Sequence, residues 1–245
     1  MQTSDTTMRA DQNNLPQRYL VVVQCRYNST RLPGKAMMLL GGLPILSFLL
    51  KRLKVGLPED RFKIILATTE NRADNVIANL GEEEEVEVLR GDEHDVLKRY
   101  LRCLEIFPAD IVVRVTADNP LTCPNVIQCA VKEMIERKVD YLKCENLPVG
   151  SGVDVFSSKI LKRLGVEAKD LQEREHINMY ILKHKEKFAT YFMFFDGKYA
   201  QPSIRITVDT IEDLDNVRSI FKKSDLDTWR MSLLEIVERM DSSII

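Results

Sequence analysis

Apolar positions along this chain follow two rhythms that alternate. Short aliphatic runs at 20–23 (LVVV), 62–67, 86–89 and 110–115 have the continuous apolar character of strands covered on both faces, as in a parallel sheet. Between them, segments 45–54, 71–80 and 93–107 place apolar residues at helical spacing. Pro44 suits a helix start, Asn71 a helix cap, and Gly81 a helix end. The acidic run 82–85 reads as a solvated connection. The second half predicts a helix at 124–138, a strand near Tyr141, a helix at 173–185 and two strands around Asp196-Gly197-Lys198. Helices at 211–222 and 228–240 close the chain. Strands that alternate with helices predict an α/β fold, a three-layer α/β/α sandwich with a mostly parallel central sheet.

Composition narrows the class. A chain of 245 residues can bury a sizeable core in one domain, here expected over 18–245, with the polar residues 1–17 as a disordered tail. The formal net charge of −2 gives no general attraction to nucleic acid or an anionic membrane, so anion binding must be local. No apolar run approaches the roughly 20 residues of a spanning helix. Five cysteines, at 25, 103, 123, 129 and 144, are odd in number and lack CxxC spacing. They favour neither a disulfide framework nor a zinc site, and point to the reduced cytoplasm.

The richest chemistry follows the first strand. Residues 24–35 read QCRYNSTRLPGK, so a loop with Arg26, Ser29, Thr30, Arg31, Gly34 and Lys35 leaves the carboxyl end of a buried strand. Ligands bind there in open α/β sheets, and fixed positive charge around a glycine suits a polyphosphate. The alternative is a solvated basic turn. Neither the Walker spacing nor the GxGxxG dinucleotide fingerprint is present.

This loop resembles the nucleotide-binding loop of the cytidylyltransferases that activate acidic sugars, including the CMP-Kdo and CMP-sialic-acid-type synthetases, and most of all their SpsF-like branch. The resemblance extends from about residue 18 to 221 and rests on several motifs in order. It implies a nucleotide-diphospho-sugar transferase (GT-A-like) fold, CTP as substrate, Mg²⁺ (or Mn²⁺) as cofactor, a small acidic acceptor and a homodimer. Residues 191–195 (YFMFF) are then a candidate interface strand, or half of a core strand.

Arg114-Val115-Thr116-Ala117-Asp118-Asn119-Pro120-Leu121 ends another buried strand and is similar to the family's GDxPL, with Ala117 in place of glycine. Asp-Asn-Pro is equally an ordinary turn. A carboxylate beside a triphosphate needs a bridging cation, so the resemblance makes Asp118 a metal ligand. Ile204-Arg205-Ile206-Thr207-Val208-Asp209-Thr210 predicts a strand that ends in a helix cap, and its likeness to the family's VDT implies Asp209 as the second ligand. Leu89-Arg90-Gly91-Asp92-Glu93-His94-Asp95-Val96-Leu97-Lys98-Arg99-Tyr100 resembles RGxxxDVLxRY, which places Asp95 and Arg99 by the base, although Asp92 or Glu93 can simply start a helix. Gln24 and Thr116 complete the nucleotide contacts.

On the acceptor side, Glu173-Arg174-Glu175-His176 matches EREH, with Glu175 and His176 as acceptor contacts and His176 as a proton acceptor; a histidine there also serves as a helix cap. Residues 150–156 are similar to GLDVEVF, with Gly152 for aspartate and Asp154 for glutamate. Asp154 is the remaining acceptor candidate. The proline usual after EREH is missing, and Asn178-Met179-Tyr180 stands in its place. The implied reaction is attack of an acceptor oxyanion on the α-phosphorus of CTP, with Arg31, Lys35 and His176 as catalytic residues. Three rivals stand beside it: cytidylylation of a phosphorylated metabolite or phosphonate, a GT-A-type glycosyltransferase, and a non-catalytic nucleotide-binding protein. No DxD triplet ends a central strand, as the glycosyltransferase reading would require.

Overall fold

The computed structural model describes residues 19–222, 225 and 227–242; the expected tail at 1–17 lies outside them. Among the described residues the elements run β1 (Tyr19–Gln24), β2 (Leu39–Leu40), β3 (Leu43–Pro44), α1 (Ile45–Gly56), β4 (Phe62–Thr69), α2 (Asn75–Glu83), β5 (Glu87–Gly91), α3 (Val96–Ile106) and β6 (Ile111–Thr116). They continue through α4 (Pro124–Arg137), β7 (Tyr141–Glu145), β8 (Asp154–Ser157), α5 (Ser158–Glu167), α6 (Leu171–Glu175), α7 (Met179–Lys183), β9 (Thr190–Phe194), α8 (Ile211–Ser219) and α9 (Leu233–Ser242).

Seven strands form one sheet in the order β5-β4-β1-β6-β8-β7-β9, with β2 and β3 as a separate small ladder. Only β8 runs antiparallel to its neighbours β6 and β7; the other pairings are parallel. This is the mostly parallel α/β sheet that the alternation predicts. Residues of β1 alternate between two cores. Tyr19, Val21 and Val23 pack with Leu46, Leu49 and Leu53 of α1, Ile77 of α2 and Ile127 of α4. Leu20 and Val22 pack with Leu97 and Tyr100 of α3 and Ile160, Leu161 and Leu164 of α5. Both faces are thus covered, as the apolar runs require. A third cluster gathers Phe48, Leu121, Ile204, Ile206, Val208, Leu214 and Ile236 beneath α8 and α9.

Several elements differ from expectation. The helix expected at 71–80 opens as a 3₁₀ turn, Arg72–Asp74, and α2 runs past Gly81 to Glu83. A Cβ on Gly81 would lie 2.6 Å from Leu66 and 2.7 Å from Val88, so this glycine permits close helix–sheet packing and does not end the helix. Asn71 caps nothing; its amide donates to Glu93 at 2.5 Å. The helix expected from Glu93 starts at Val96, because Asp95 accepts from the Lys98 N–H at 2.8 Å and is the cap. The expected 173–185 helix is broken at His176-Ile177-Asn178, where Ile177 is buried and Asn178 reaches Asp154.

Further on, α5 has no counterpart among the predicted elements, although Ser157 caps it and Ile160, Leu161 and Leu164 mark its buried face. Beside Asp196-Gly197-Lys198, β9 is present but the second strand is not, since Gly197–Tyr199 turns in a 3₁₀ helix. Among the described residues the stretch 204–210 joins no sheet; its one ladder-type pairing is an isolated bridge between Arg205 and Val149. The last predicted helix is divided into the turn Thr228–Arg230 and α9.

Candidate functional site

Register places the site. Gln24 of β1 lies level with Ala67 of β4 and Thr116 of β6, so the loops after β1 and β6 leave the same carboxyl edge side by side. The loop after β1 folds back on itself: Gly34 donates to the Tyr27 carbonyl at 2.8 Å and Ser29 to the same oxygen at 2.9 Å. Gly34 has φ +73°, and a Cβ there would sit 3.1 Å from the Tyr27 ring. Glycine meets both demands. The turn swings Lys35 inward, where its side chain is nearly buried at the floor of a cavity of about 500 Å³.

Lys35 joins the two predicted carboxylates. Its Nζ donates to the Val208 carbonyl at 2.7 Å and to Asp209 Oδ1 at 3.2 Å, and lies 3.4 Å from Asp118 Oδ2. Asp118 arrives on the turn after β6. Asp209 arrives on the bridged segment: Val149 N–H donates to Ile204 O at 2.8 Å, Ile206 N–H to Val149 O at 2.9 Å, and Val208 N–H to Asp118 O at 2.7 Å. Gly150, at φ +104°, makes this approach possible, because a Cβ would fall 2.8 Å from the Thr207 nitrogen. The turn after Asp209 is fixed by Thr210 and Asp213, which form a reciprocal capping box at the start of α8.

The two carboxylates differ in environment. Asp209 is held by Lys35, by Arg31 at 2.8 Å and by Arg205 at 2.8 Å. Burial works to raise its pKa, but these cations, Lys35 foremost, hold it below the ordinary value. Asp118 has a buried Oδ1 with no hydrogen-bond partner among the described residues. Six cations, Arg26, Arg31, Lys35, Arg99, Arg114 and Arg205, line the cavity against three carboxylates, Asp118, Glu175 and Asp209. That excess favours a polyanion.

The remaining predicted residues are distributed as follows. Gln24, Ser29, Thr30 and Thr116 line the cavity; Gln24 Oε1 accepts from Tyr100 and from Arg114, each at 3.2 Å, and Thr116 Oγ1 accepts from Asn119 at 2.9 Å. Arg99 also lines it, held by the carbonyls of Asp92 and Glu93, with its buried Nε lacking a partner among the described residues; burial lowers its pKa. Asp95 does not line the cavity. It caps α3 and pairs with Arg174 at 2.7 Å. Arg26 pairs with Glu175 at 3.3 Å, and both line the cavity. His176 is exposed at the rim, lining both this cavity and a shallow neighbour with Asn178 and Met179. Asp154 lines an adjoining cavity of about 330 Å³, and its oxygens are engaged by Tyr141 at 2.6 Å, Arg114 at 3.1 Å and Asn178 at 3.2 Å. Cys25 is buried and burial pushes its thiol far up, which suits a packing role and not a nucleophile.

Arg205 and Arg114 were not anticipated as site residues. Both lie inside motifs read for their aspartates, and the two-residue spacing of Arg114 and Thr116 in β6, continued by Asp118 in the turn after it, was the available signal for Arg114. Asp74, far from any motif, accepts from the Tyr27 N–H at 2.5 Å; nothing local marks it.

The fold and the site together are those of an α/β nucleotidyltransferase, and the solved structures agree. A cytidylyltransferase from Leptospira borgpetersenii serovar Hardjo-bovis superposes with a TM-score of 0.85 at 27% identity, covering 93% of this chain and 95% of that one. A CMP:2-keto-3-deoxy-manno-octonic acid synthetase complexed with CTP shares the fold at a TM-score of 0.63 and 16% identity, covering 83% and 98%. The spore coat polysaccharide biosynthesis protein SpsF of Bacillus subtilis (strain 168) is 27% identical over 208 residues, 84% of this chain and 87% of its own. A family model described as Cytidylyltransferase matches residues 20–236. The chain belongs to the cytidylyltransferase family.

Proposed function

We propose that residues 18–245 form one nucleotidyltransferase domain that transfers CMP from CTP to an acidic sugar, releasing pyrophosphate, in the synthesis of surface polysaccharide or glycoconjugate precursors. The observation that carries the reading is the convergence of Lys35 and Arg31 with Asp118 and Asp209 at one carboxyl edge. An orphaned, buried Asp118 Oδ1 beside a second carboxylate is a hard-oxygen donor set that fits Mg²⁺ or Mn²⁺. Asp118 and Asp209 would hold the ion, with phosphate oxygens completing its shell. When bound, it supplies Lewis-acid polarisation of the α-phosphate.

This chain's own residues do the rest. Lys35 and Arg31 grip the triphosphate and offset the charge that develops on the leaving oxygen, aided by Ser29 and Thr30. Arg26 supports the loop from the side of Glu175. Gln24, Thr116 and Arg99 bound the nucleoside. His176, whose imidazole has no hydrogen-bond partner among the described residues, stands at the rim where it can take a proton from an entering acceptor or orient its carboxylate. Glu175 borders the same entrance. Asp154, with its oxygens engaged, serves the acceptor by orienting Arg114. The unpaired cysteines and the lack of a described helix long and apolar enough to cross a membrane support a cytoplasmic enzyme. The half-buried aromatic residues of the edge strand β9 support a homodimer.

The test is pyrophosphate release with Mg²⁺ and each of the four nucleoside triphosphates against 2-keto sugar acids, sugar phosphates and small phosphorylated metabolites. Release that requires CTP and a sugar acid is the expected result. Release with another nucleotide or only with a phosphorylated acceptor would refute the specific reading, and release with none would refute the activity.

A further inference from the structure

A carboxylate is buried directly behind the loop after β1. Asp74 is 1% exposed, and no lysine or arginine among the described residues forms an ion pair with it. Its Oδ1 accepts the Tyr27 N–H at 2.5 Å and its Oδ2 accepts the Thr69 hydroxyl. Burying an ionised carboxylate in this way is costly, and two donors lower that cost without removing it. The position is therefore informative about what Asp74 holds.

Tyr27 is the residue around which the loop closes. Its carbonyl receives the N–H groups of Ser29 and Gly34, and its ring packs on the face where a Cβ of Gly34 would be. With the Tyr27 N–H fixed by Asp74 and the Tyr27 carbonyl fixing Gly34, the peptide that delivers Lys35 is anchored from both ends. Thr69 ends β4, next to β1, so the anchor is tied to the sheet itself. Asp74 also lies close enough to Arg99 and Cys25 to influence both electrostatically.

We propose that Asp74 is a positioning residue of the nucleotide site, which holds the loop 25–35 in the conformation that grips the β- and γ-phosphates. This rests on the nucleotidyltransferase reading above. A charge-assisted hydrogen bond to the backbone is stronger than a neutral one and fixes the peptide plane, so Asp74 sets the geometry of groups that it does not itself bring to the ligand. The nucleoside side of the cavity, bounded by Gln24 and Thr116 on the sheet, does not depend on it.

The experiment is calorimetric binding of CTP and of CMP, each with Mg²⁺ and without acceptor, to the parent, Asp74→Ala and Asp74→Asn, alongside thermal unfolding. Losing the anchor should weaken CTP by about tenfold or more in Asp74→Ala while CMP stays within about twofold, because CMP lacks the phosphates that the loop grips. Asp74→Asn keeps an acceptor for the Tyr27 N–H and should recover part of the loss. A folded Asp74→Ala with parental CTP affinity, or with CTP and CMP weakened alike, overturns the proposal. Should Asp74→Ala fail to fold, Asp74→Asn decides: a several-fold loss confined to CTP supports the role, and parental affinity overturns it. A parent that binds no CTP defeats the nucleotidyltransferase reading and this one with it, whereas a binding parent with insensitive variants defeats only this one.

Discussion

Replacing Lys35 by methionine keeps most of the side-chain volume and removes the ammonium. Nζ donates to Val208 O at 2.7 Å and Asp209 Oδ1 at 3.2 Å and lies 3.4 Å from Asp118 Oδ2, so three acceptors lose a cation together. They do not suffer equally. Asp209 keeps Arg31 and Arg205, each at 2.8 Å, and the Asp118 side chain, 33% exposed, can take up water. Only the Val208 carbonyl is left as a buried acceptor without its donor, a cost of about 1–3 kcal/mol; the near-isosteric exchange adds little. Turnover should suffer more, since removing one preorganised contact to developing charge costs on the order of 100-fold to 1,000-fold in kcat. Urea unfolding and pyrophosphate release, measured on the same preparation, separate the two effects. The expected pattern is a folded protein with a modestly lower midpoint and kcat reduced by at least about 100-fold. Parental kcat in Lys35→Met would show that the lysine only neutralises the carboxylates and would refute its phosphate role.

Asp118→Asn removes a carboxylate whose Oδ1 has no partner among the described residues; it should abolish Mg²⁺-dependent turnover while leaving the unfolding midpoint near the parental value, and a large fall in the midpoint would contradict this. Asp95→Ala should cost about 1 kcal/mol through the lost cap and leave CTP affinity parental, because Asp95 binds Arg174 and the α3 amide; a weakened CTP complex in calorimetry would return Asp95 to the base site. Acid stability carries a defined sign. The hydrogen bond from Arg205 holds Asp213 down to about 2, below its unfolded value of about 3.9, so its contribution is complete above about pH 4 and is lost as pH falls toward 2. The stability difference between the parent and Arg205→Met should be constant above about pH 4 and shrink below it; a difference that grows in acid would reverse the assignment. Gly150→Ala should push the 204–209 segment away from Asp118 and cut kcat/KM by at least about tenfold, and unchanged kinetics would deny that this close approach matters.

The parallel strands β1, β4, β5 and β6 were legible because a buried parallel strand carries no polar alternation to confuse it: LVVV at 20–23 lies inside the sheet between β4 and β6, as its composition says. The broken helix at 176–178 and the missing strand at 204–210 were not, since both depend on distant partners. Asn178 turns toward Asp154 and Arg205 toward Val149, contacts with no local signal. Gly81 misled for a physical reason, because the glycine that ends helices and the glycine that admits a neighbour look alike in sequence. At the site, Lys35, Arg31, Asp118 and Asp209 could be named because motifs carry them to one edge. Asp74 could not, because its role is fixed only by where Tyr27 comes to lie.

The isolated bridge between Val149 and Arg205 has a mechanical consequence. Asp118 follows Val115 and Ala117 of the sheet's core, whereas Asp209 follows Ile204, Ile206 and Val208 of the third apolar cluster under α8 and α9. The two carboxylates thus meet at a seam where the 204–209 segment lies against the sheet's edge, joined there by a few backbone hydrogen bonds and Lys35. A ligand that engages both aspartates works as a clasp across that seam. Its binding energy then stabilises the C-terminal layer against local opening as well as filling the cavity, and amide hydrogen exchange in α8, whose capping box adjoins Asp209, would slow on nucleotide binding even though no residue of α8 lines the cavity.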